Sequence, residues 1–319
     1  MNQFNYKKTP ENVPFISNRA DPYVTRHDDG TYYFTASVPE YDRIILRKSD
    51  SLMGLREAPE KTVWKKHESG EMSAHIWAPE LHRFGDAWYL YFASGAAENV
   101  WAIRPYVLEC RAEDPMEGPW QELGMMEAAD DFSFQDFSLD MTVFASYGAW
   151  YCVWAEKVSV GKKISNLYIA RMKSPHSLAT KQVLLSSPDY DWERVDFWVN
   201  EGPAVIRRNG RICMTYSASA TGAEYCMGLL SAEEDSDLLD PASWTKERLP
   251  VLVTDETAGL YGPGHNSFTV DENGRDIMVF HARQYDEITG DPLYDPNRHA
   301  YLAGVEWEDG KMVFKPMRL

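Results

Sequence analysis

Three carboxylates, Asp21, Asp140 and Glu201, stand at the heads of short apolar segments that read DPYVT, DMTVF and EGPAVI. A carboxylate at the start of a buried strand is costly unless it has a partner or a task. Carboxyl groups in different rigid environments can divide the work of catalysis, because one stays protonated as an acid while another ionises as a base. The three residues are therefore candidates for acid–base chemistry if the fold brings them together.

The segments that carry these carboxylates belong to an internal repeat. Its five copies begin at Asp21, Trp77, Asp140, Glu201 and His265, and each turns at a glycine eight or nine residues later. A strand rich in Tyr, Phe, Val, Met or Trp follows each turn. Glycine turns between alternating apolar runs are a strong hairpin signal. The sequence therefore predicts five hairpins, with turns at Gly30, Gly85, Gly148, Gly210 and Gly274.

The length of the repeat indicates the fold. About 60 residues led by a hairpin are typical of a four-stranded propeller blade. We expect an all-β fold, a five-bladed β-propeller with blades of four antiparallel strands around a central channel, as a single catalytic domain over residues 1–319. The segment before Asp21 should close the ring against the last blade. First strands of blades line the channel, so the five head residues should converge at one end of it.

Charge and composition exclude several classes of protein. The net charge of −17 argues against nucleic-acid binding, which needs a basic surface. The sequence has no apolar run of about 18 residues, so no membrane span is expected. The first fifteen residues, MNQFNYKKTPENVPF, lack the apolar core of a secretory signal, and the four cysteines are scattered. These features predict a reduced, cytoplasmic protein.

Three converging carboxylates suit the hydrolysis of a glycosidic bond. That reaction needs one ionised carboxylate and one protonated carboxyl group. A third carboxylate beside the acid raises its pKa through like-charge repulsion. The aromatic content of 13% suits sugar stacking and equally suits a large β core.

Six segments resemble glycoside hydrolase family 43: NRADPYV, SLDMTVF, NEGPAVI, HIWAPEL, GPGHNSF and FHARQY. The resemblance covers almost the whole chain. It implies that Asp21 is the general base, Glu201 is the general acid, and Asp140 tunes and orients Glu201. It also implies an inverting, single-displacement reaction, with the base and acid carboxyls roughly 6.5–9.5 Å apart.

The resemblance also implies roles around the carboxylates. Arg283, in the HAR motif, is expected to contact substrate, Trp77 to offer a stacking face, and His265 to bind substrate as the channel histidine. No cofactor is expected to be required. A structural Ca²⁺ near His265 in the central channel stays open, although no DxDxDG spacing occurs. Glu80 is interpreted as the structural partner of an arginine.

The substrate follows from resemblance alone. The stretch GTYYFTASVPEYDRIILRKSDSL resembles exo-acting α-L-arabinofuranosidases that trim short arabino-oligosaccharides. We therefore expect release of terminal α-L-arabinofuranosyl residues from a small oligosaccharide. Two alternatives are a β-xylosidase (or dual enzyme) and a non-catalytic carbohydrate-binding propeller. The second is disfavoured because the five head residues differ, as a single asymmetric site requires. A homo-oligomer is left open.

Overall fold

The structure, a computed structural model, describes residues 12–157, 164–308 and 310–317. Almost all of its regular structure is β, in agreement with the predicted fold class. Its strands fall into five successive groups along the chain. None of the helices in the described ranges has the length and apolar character needed to cross a membrane.

Each group of strands is one blade, numbered in chain order. The first blade contains β1 (Ala20–Arg26), β2 (Tyr32–Ser37), β3 (Arg43–Ser49) and β4 (Lys61–Lys65). The second contains β5 (Ala74–Phe84), β6 (Ala87–Gly95), β7 (Arg104–Cys110) and β8 (Trp120–Met125). The third contains β9 (Ser138–Ser146), β10 (Ala149–Lys157), β11 (Ile164–Ser174) and the short edge strands β12 (Ser177–Leu178) and β13 (Val183–Ser186).

The remaining two blades complete the set. The fourth contains β14 (Trp198–Arg208), β15 (Arg211–Ala218), β16 (Cys226–Glu233) and β17 (Thr245–Lys246). The fifth contains β18 (Tyr261–Val270), β19 (Asp276–Arg283), β20 (His299–Glu308) and β21 (Lys311–Pro316). Four short 3-10 helices lie in the connections, at Met53–Arg56, Asp191–Glu193, Pro241–Ser243 and Pro292–Tyr294.

The first strands of the five blades form a closed ring. Strand β1 packs against β5, β5 against β9, β9 against β14, β14 against β18, and β18 against β1. Neighbours within each blade pair antiparallel, and the hairpins turn at the predicted glycines. The prediction of a five-bladed propeller around a central channel is therefore confirmed.

The third and fourth blades are joined by backbone pairing. The start of β11 pairs in parallel with the start of β14, at Ile164 with Trp198 and at Ser165 with Val199. The two blades therefore form one continuous sheet of nine strands. The first, second and fifth blades are separate four-stranded sheets.

The hydrophobic core is divided among the contacts between neighbouring blades. Trp88 and Ile76 of the second blade, for example, lie in one cluster with Ile44 of the first blade. Another cluster joins Val24 of the first blade to Val279 of the fifth. The inner strands, such as β2 and β6, are thus buried on both faces, whereas the outermost strands β4 and β8 are largely exposed.

The ring is closed by the chain before β1, as expected. Ile16 forms a bridge with Ala300 of β20, and the N–H of Phe15 donates to the Ala300 carbonyl at 2.8 Å. Phe15 is buried edge-on against Phe34 of the first blade. The first eleven residues lie outside the described residues. Residues 15 and 16 therefore link the first and last blades.

Candidate active site

Every innermost strand is interrupted at the same point by a residue in the left-handed region. These residues are Asp21 (φ 52°), Ala78 (46°), Asp140 (54°), Gly202 (53°) and His265 (41°). The pairing register of each innermost strand with its neighbour shifts there, as at a β-bulge. Bulges re-aim side chains, and residues held in a strained backbone conformation cluster at functional sites. The five bulges therefore mark one end of the channel as a constructed site.

The bulges correct the predicted alignment of two blades. In the second and fourth blades the equivalent residues are Ala78 and Gly202, each one position after the predicted Trp77 and Glu201. The sequence analysis was therefore wrong by one residue in these blades. A proline follows the left-handed residue at Asp21, Ala78 and Gly202. This shared proline was the signal that could have given the correct alignment.

Side chains of the preceding blade satisfy the backbone of two bulges. The N–H of Ala78 donates to Ser37 Oγ at 2.8 Å, and the N–H of His265 donates to Ser217 Oγ at 2.7 Å. Ser37 and Ser217 lie in the second strands of the first and fourth blades. These hydrogen bonds hold each bulge in register with its neighbouring blade.

A pocket of about 460 Å³ opens at this end of the channel. Five of the six predicted site residues line it, namely Asp21, Trp77, Asp140, Glu201 and His265. Its wall includes the apolar residues Trp101, Phe137, Leu139, Phe197, Val199 and Leu293, and the polar residues Tyr225, Asp291 and Arg298. The fold thus brings the three carboxylates into one partly apolar cavity.

Asp21 is buried among hydrogen-bond donors and positive charge. Its Oδ2 accepts from Ser37 Oγ at 2.5 Å, and its Oδ1 lies 3.2 Å from His265 Nδ1 and 3.7 Å from Arg298 Nη1. Burial alone raises the pKa of Asp21, but His265 and Arg298 outweigh it and hold that pKa well below its usual range. Asp21 is therefore ionised at neutral pH.

Glu201 lies in the opposite electrostatic environment. Burial, followed by the negative charge of Asp140, raises the pKa of Glu201 to about 8. Its Oε1 accepts a hydrogen bond from the Tyr225 hydroxyl at 2.8 Å, which only partly offsets this rise. Glu201 is therefore protonated at neutral pH and able to donate a proton into the pocket.

Asp140 stands between these two groups. Its Oδ2 accepts the N–H of Gly202 at 3.0 Å and lies 3.7 Å from His265 Nδ1. Burial, and after it the charge of Asp21, raises the pKa of Asp140, while the Gly202 N–H opposes that rise. The hydrogen bond ties Asp140 to the residue directly after Glu201, so it couples the two side chains.

Arg283 lies outside the pocket, which corrects the expectation that it contacts substrate. It is almost completely buried, and its guanidinium donates to the carbonyls of Thr221 and Pro292 and to Asp295 Oδ1. These bonds hold the loop whose residues Asp291 and Leu293 line the pocket. Arg283 therefore supports the wall from behind.

The sequence analysis missed three residues of the site. Arg298 lines the pocket and donates from Nη2 to the Tyr41 hydroxyl at 2.8 Å. Burial lowers the pKa of His281 to about 3, so its neutral Nδ1 accepts the N–H of Asp21 at 3.0 Å. Tyr225 is the partner of Glu201. His281 stands within the quoted FHARQY motif, whereas Arg298 and Tyr225 carry no signal in the sequence.

Trp77 forms part of an aromatic wall. Its ring stacks on His75, with centroids 4.4 Å apart and planes at 20°, and the half-exposed Trp101 lies beyond at 6.1 Å. Glu80, further along the same strand, pairs with His82 Nε2 at 2.7 Å rather than with an arginine. The interpretation of Glu80 as a structural side chain holds, but its partner was wrongly predicted.

The residues around His265 do not fit a calcium ion. In the described part of the chain, no group of three or more His, Cys, Asp or Glu side chains is arranged to hold a metal. The Nδ1 of His265 faces Asp21 and Asp140, whereas calcium takes six to eight oxygen ligands.

Three known proteins are similar over nearly the whole chain. An extracellular exo-α-(1→5)-L-arabinofuranosidase of Streptomyces avermitilis is 50% identical over 94% of this chain, which spans 62% of that protein. The protein of the same name from Streptomyces chartreusis is 50% identical over 90% of this chain and 86% of its own length. The crystal structure of α-L-arabinofuranosidase from Lactobacillus brevis superposes with a TM-score of 0.88 at 47% identity, covering 98% of this chain and 97% of that one.

The names of the Streptomyces relatives contradict the predicted cytoplasmic location. Both are extracellular proteins at 50% identity. The prediction relied partly on free cysteines, and all four are buried here. A buried thiol is protected from oxidation in any compartment, so these cysteines do not discriminate between locations. The cytoplasmic prediction is therefore wrong.

A match to a family profile covers most of the chain and does not depend on any single relative. The sequence profile of the glycosyl hydrolases family 43 matches residues 12–312, which include the first four blades, the fifth blade up to the start of β21, and every residue of the pocket. The resemblance found in six short segments thus extends over the described fold. The chain belongs to glycosyl hydrolases family 43.

Proposed function

We propose that this protein is an inverting glycoside hydrolase that releases terminal α-L-arabinofuranosyl residues from arabino-oligosaccharides, with residues 1–319 acting as one catalytic domain. The observation that carries the proposal is that two carboxyl groups lining the same pocket, Asp21 and Glu201, have very different pKa values. Asp21 has a pKa well below its usual range, whereas the pKa of Glu201 is raised to about 8. Two carboxyls held in opposite protonation states are what single-displacement hydrolysis requires.

Each carboxyl has one task in this mechanism. Asp21 takes a proton from a water molecule whose oxygen attacks the anomeric carbon. Glu201 gives its proton to the glycosidic oxygen while the bond from that oxygen to the anomeric carbon breaks. Asp140 keeps the pKa of Glu201 high through its charge and fixes the backbone beside it. Exchange of protons with solvent then restores Asp21 and Glu201.

The lining of the pocket offers positions for two adjacent sugars, and the proposed action at a chain end rests on the names of the relatives. A sugar ring at the carboxylates would lie beside Trp77, with Arg298 and His265 as candidate partners for its hydroxyl groups. The pocket wall includes Trp101 and Phe197, which are half exposed and leave an apolar rim for the next sugar.

The arabinofuranosyl preference rests on the names of the relatives. A β-xylosidase, or a dual enzyme, is the second candidate, because pocket shape alone does not distinguish the two pentoses.

The first test compares hydrolysis of p-nitrophenyl α-L-arabinofuranoside and p-nitrophenyl β-D-xyloside. We expect the arabinofuranoside to be preferred. On an arabino-oligosaccharide, whose leaving sugar needs a proton, kcat in Glu201→Gln should fall by about 10²–10⁴-fold because the amide has no acidic proton. Glu109→Gln is a matched control, since Glu109 is also buried and also accepts from a tyrosine hydroxyl, at 2.7 Å, but lies in the second blade.

The outcomes separate the alternatives. Preference for the xyloside would replace the substrate but keep the mechanism. Full activity of Glu201→Gln on the arabino-oligosaccharide would remove Glu201 from the acid role. Binding of arabino-oligosaccharides without any turnover would favour the non-catalytic propeller. Proton NMR of the first-formed sugar checks the stereochemistry, and retention of configuration would contradict the single displacement.

A further inference from the structure

Tyr225 is a buried residue of the pocket wall that the mechanism above does not use. It lies directly before β16 with only 2% of its surface exposed, and its hydroxyl donates to Glu201 Oε1 at 2.8 Å. Burial and the neighbouring charge of Glu201 raise the pKa of Tyr225 well above its ordinary value, so the phenol keeps its proton. The hydroxyl is therefore a permanent donor to one oxygen of Glu201.

The ring of Tyr225 is held by close packing on two sides. A Cβ atom added to Gly264 would lie only 2.3 Å from the ring atom Cε1, so the ring sits where a side chain would otherwise stand. On the other side the ring stacks on His281, with centroids 5.7 Å apart and planes at 6°. The hydroxyl thus points at Glu201 from a fixed position.

The same stack reaches the general base. The Nδ1 of His281 accepts the N–H of Asp21, so one buried ring pair lies between the segments that carry Asp21 and Glu201. In the part of the chain that the structure describes, Oε1 is the oxygen of Glu201 that accepts a hydrogen bond. In a neutral carboxyl group the carbonyl oxygen is the stronger acceptor, so the hydrogen bond from Tyr225 to Oε1 favours placement of the proton on Oε2.

We propose that Tyr225 is a positioning residue for Glu201, which fixes Oε1 so that Oε2 carries the transferable proton toward the glycosidic oxygen. This inference rests on the proposed function, because it assigns Tyr225 to the acid of that reaction. Without the hydroxyl, the carboxyl group can rotate and present either oxygen, so fewer bound substrates meet a correctly placed proton.

The test is Tyr225→Phe, measured on an arabino-oligosaccharide and on p-nitrophenyl α-L-arabinofuranoside. We expect kcat on the oligosaccharide to fall about tenfold with little change in KM. The loss should be smaller on the aryl glycoside, because p-nitrophenolate leaves with little help from an acid. The alkaline limb of the pH profile should move to higher pH, since removing a donor to the carboxylate raises the pKa of Glu201.

Tyr89→Phe is the matched control. Tyr89 is a buried tyrosine whose hydroxyl donates to Glu109 Oε1 at 2.7 Å, and neither Tyr89 nor Glu109 lines the pocket. A merely structural effect would lower the melting temperature of both variants and leave both pH profiles in place.

The outcomes for Tyr225 and for the proposed function are distinguishable. An inactive wild-type protein would overturn the proposed function. An active wild-type protein would overturn the role of Tyr225 if Tyr225→Phe kept the wild-type kcat, leaving-group dependence and alkaline limb. A lower kcat that is equal on both substrates, with an unmoved limb, would also overturn it.

Discussion

Asp21 and Glu201 differ less in chemistry than in what surrounds them. Asp21 faces Arg298 and His265, whereas Glu201 faces Asp140 and receives one neutral hydroxyl group. Both carboxyls are removed from water, which amplifies the effect of each neighbour. The protein thus obtains an ionised and a protonated carboxyl at the same pH from placement alone.

The pH dependence of activity follows from these two groups. We expect an alkaline limb of kcat/KM near pH 8, because activity is lost as Glu201 gives up its proton with a pKa of about 8. Asp21 should set no limb near neutral pH, since its pKa lies well below its usual range. In Asp140→Asn the alkaline limb should move to lower pH, because the charge that raises the pKa of Glu201 is gone.

Initial rates across the neutral and alkaline range check this expectation, with Glu109→Gln as the variant whose limb should not move. An alkaline limb in Asp140→Asn that stays at the wild-type pH would show that the charge of Asp140 does not control Glu201. A limb that moves to higher pH would reverse the sign of the proposed coupling.

At the scale of the strand, the bulges decide where the functional side chains point. Gly202 shows how tightly they are built: its φ is 53°, and a Cβ there would lie 3.0 Å from His265 Cγ. Its N–H also holds Asp140. One glycine therefore fits between Glu201, His265 and Asp140, and no larger residue can take this place without moving the imidazole.

We expect Gly202→Ala to lose both stability and activity. The left-handed backbone should cost about 1 kcal/mol in the free energy of unfolding. Displacement of His265 should lower kcat/KM by about tenfold to a hundredfold. Gly210→Ala is the control, because Gly210 has a φ of 76° but nothing within 4 Å of an added Cβ. Urea unfolding and steady-state kinetics of both variants separate the effect of backbone strain from the effect of the contact between the added Cβ and His265. Equal kcat/KM in Gly202→Ala and Gly210→Ala would show that the contact with His265 does not affect activity.

The sequence predicted the elements of the fold better than the local geometry of the site. Repeat spacing and glycine turns depend on local chemistry, so the hairpins and the five blades could be predicted. A bulge is defined by two residues facing one on the partner strand, which no single segment reveals. That is why Trp77 and Glu201 were aligned one residue early. Tyr225 and Arg298 reach the pocket through tertiary packing, so their positions in the sequence gave no indication.

At the scale of the whole molecule, the ring depends on a short contact between its two ends. Phe15 and Ile16 bind Ala300 of the last blade and pack against the first blade. Because β1 carries Asp21, this contact also holds the proposed base in place. Closure and catalysis are therefore coupled through the first blade.

Phe15→Ala should reduce the free energy of unfolding by about 3–5 kcal/mol, because a fully buried aromatic side chain is lost at the closure. Phe132→Ala is the control: Phe132 is 51% exposed, and its loss should change stability by no more than about 0.5 kcal/mol. Urea denaturation followed by tryptophan fluorescence measures both. A change of under about 1 kcal/mol in Phe15→Ala would show that the ring does not depend on this contact.

The parallel pairing of β11 with β14 determines which residues of the site are held in the same sheet. Asp140 and Glu201 belong to one hydrogen-bonded sheet, whereas Asp21 is carried by a sheet of its own. The hydrogen bond from the Gly202 N–H to Asp140 therefore lies within one continuous sheet, and the largest charge effect on the pKa of Glu201, that of Asp140, is held by backbone pairing. The smaller effect of Asp21 on that pKa acts between separate sheets, so it is the one that changes when the first blade shifts relative to the third and fourth.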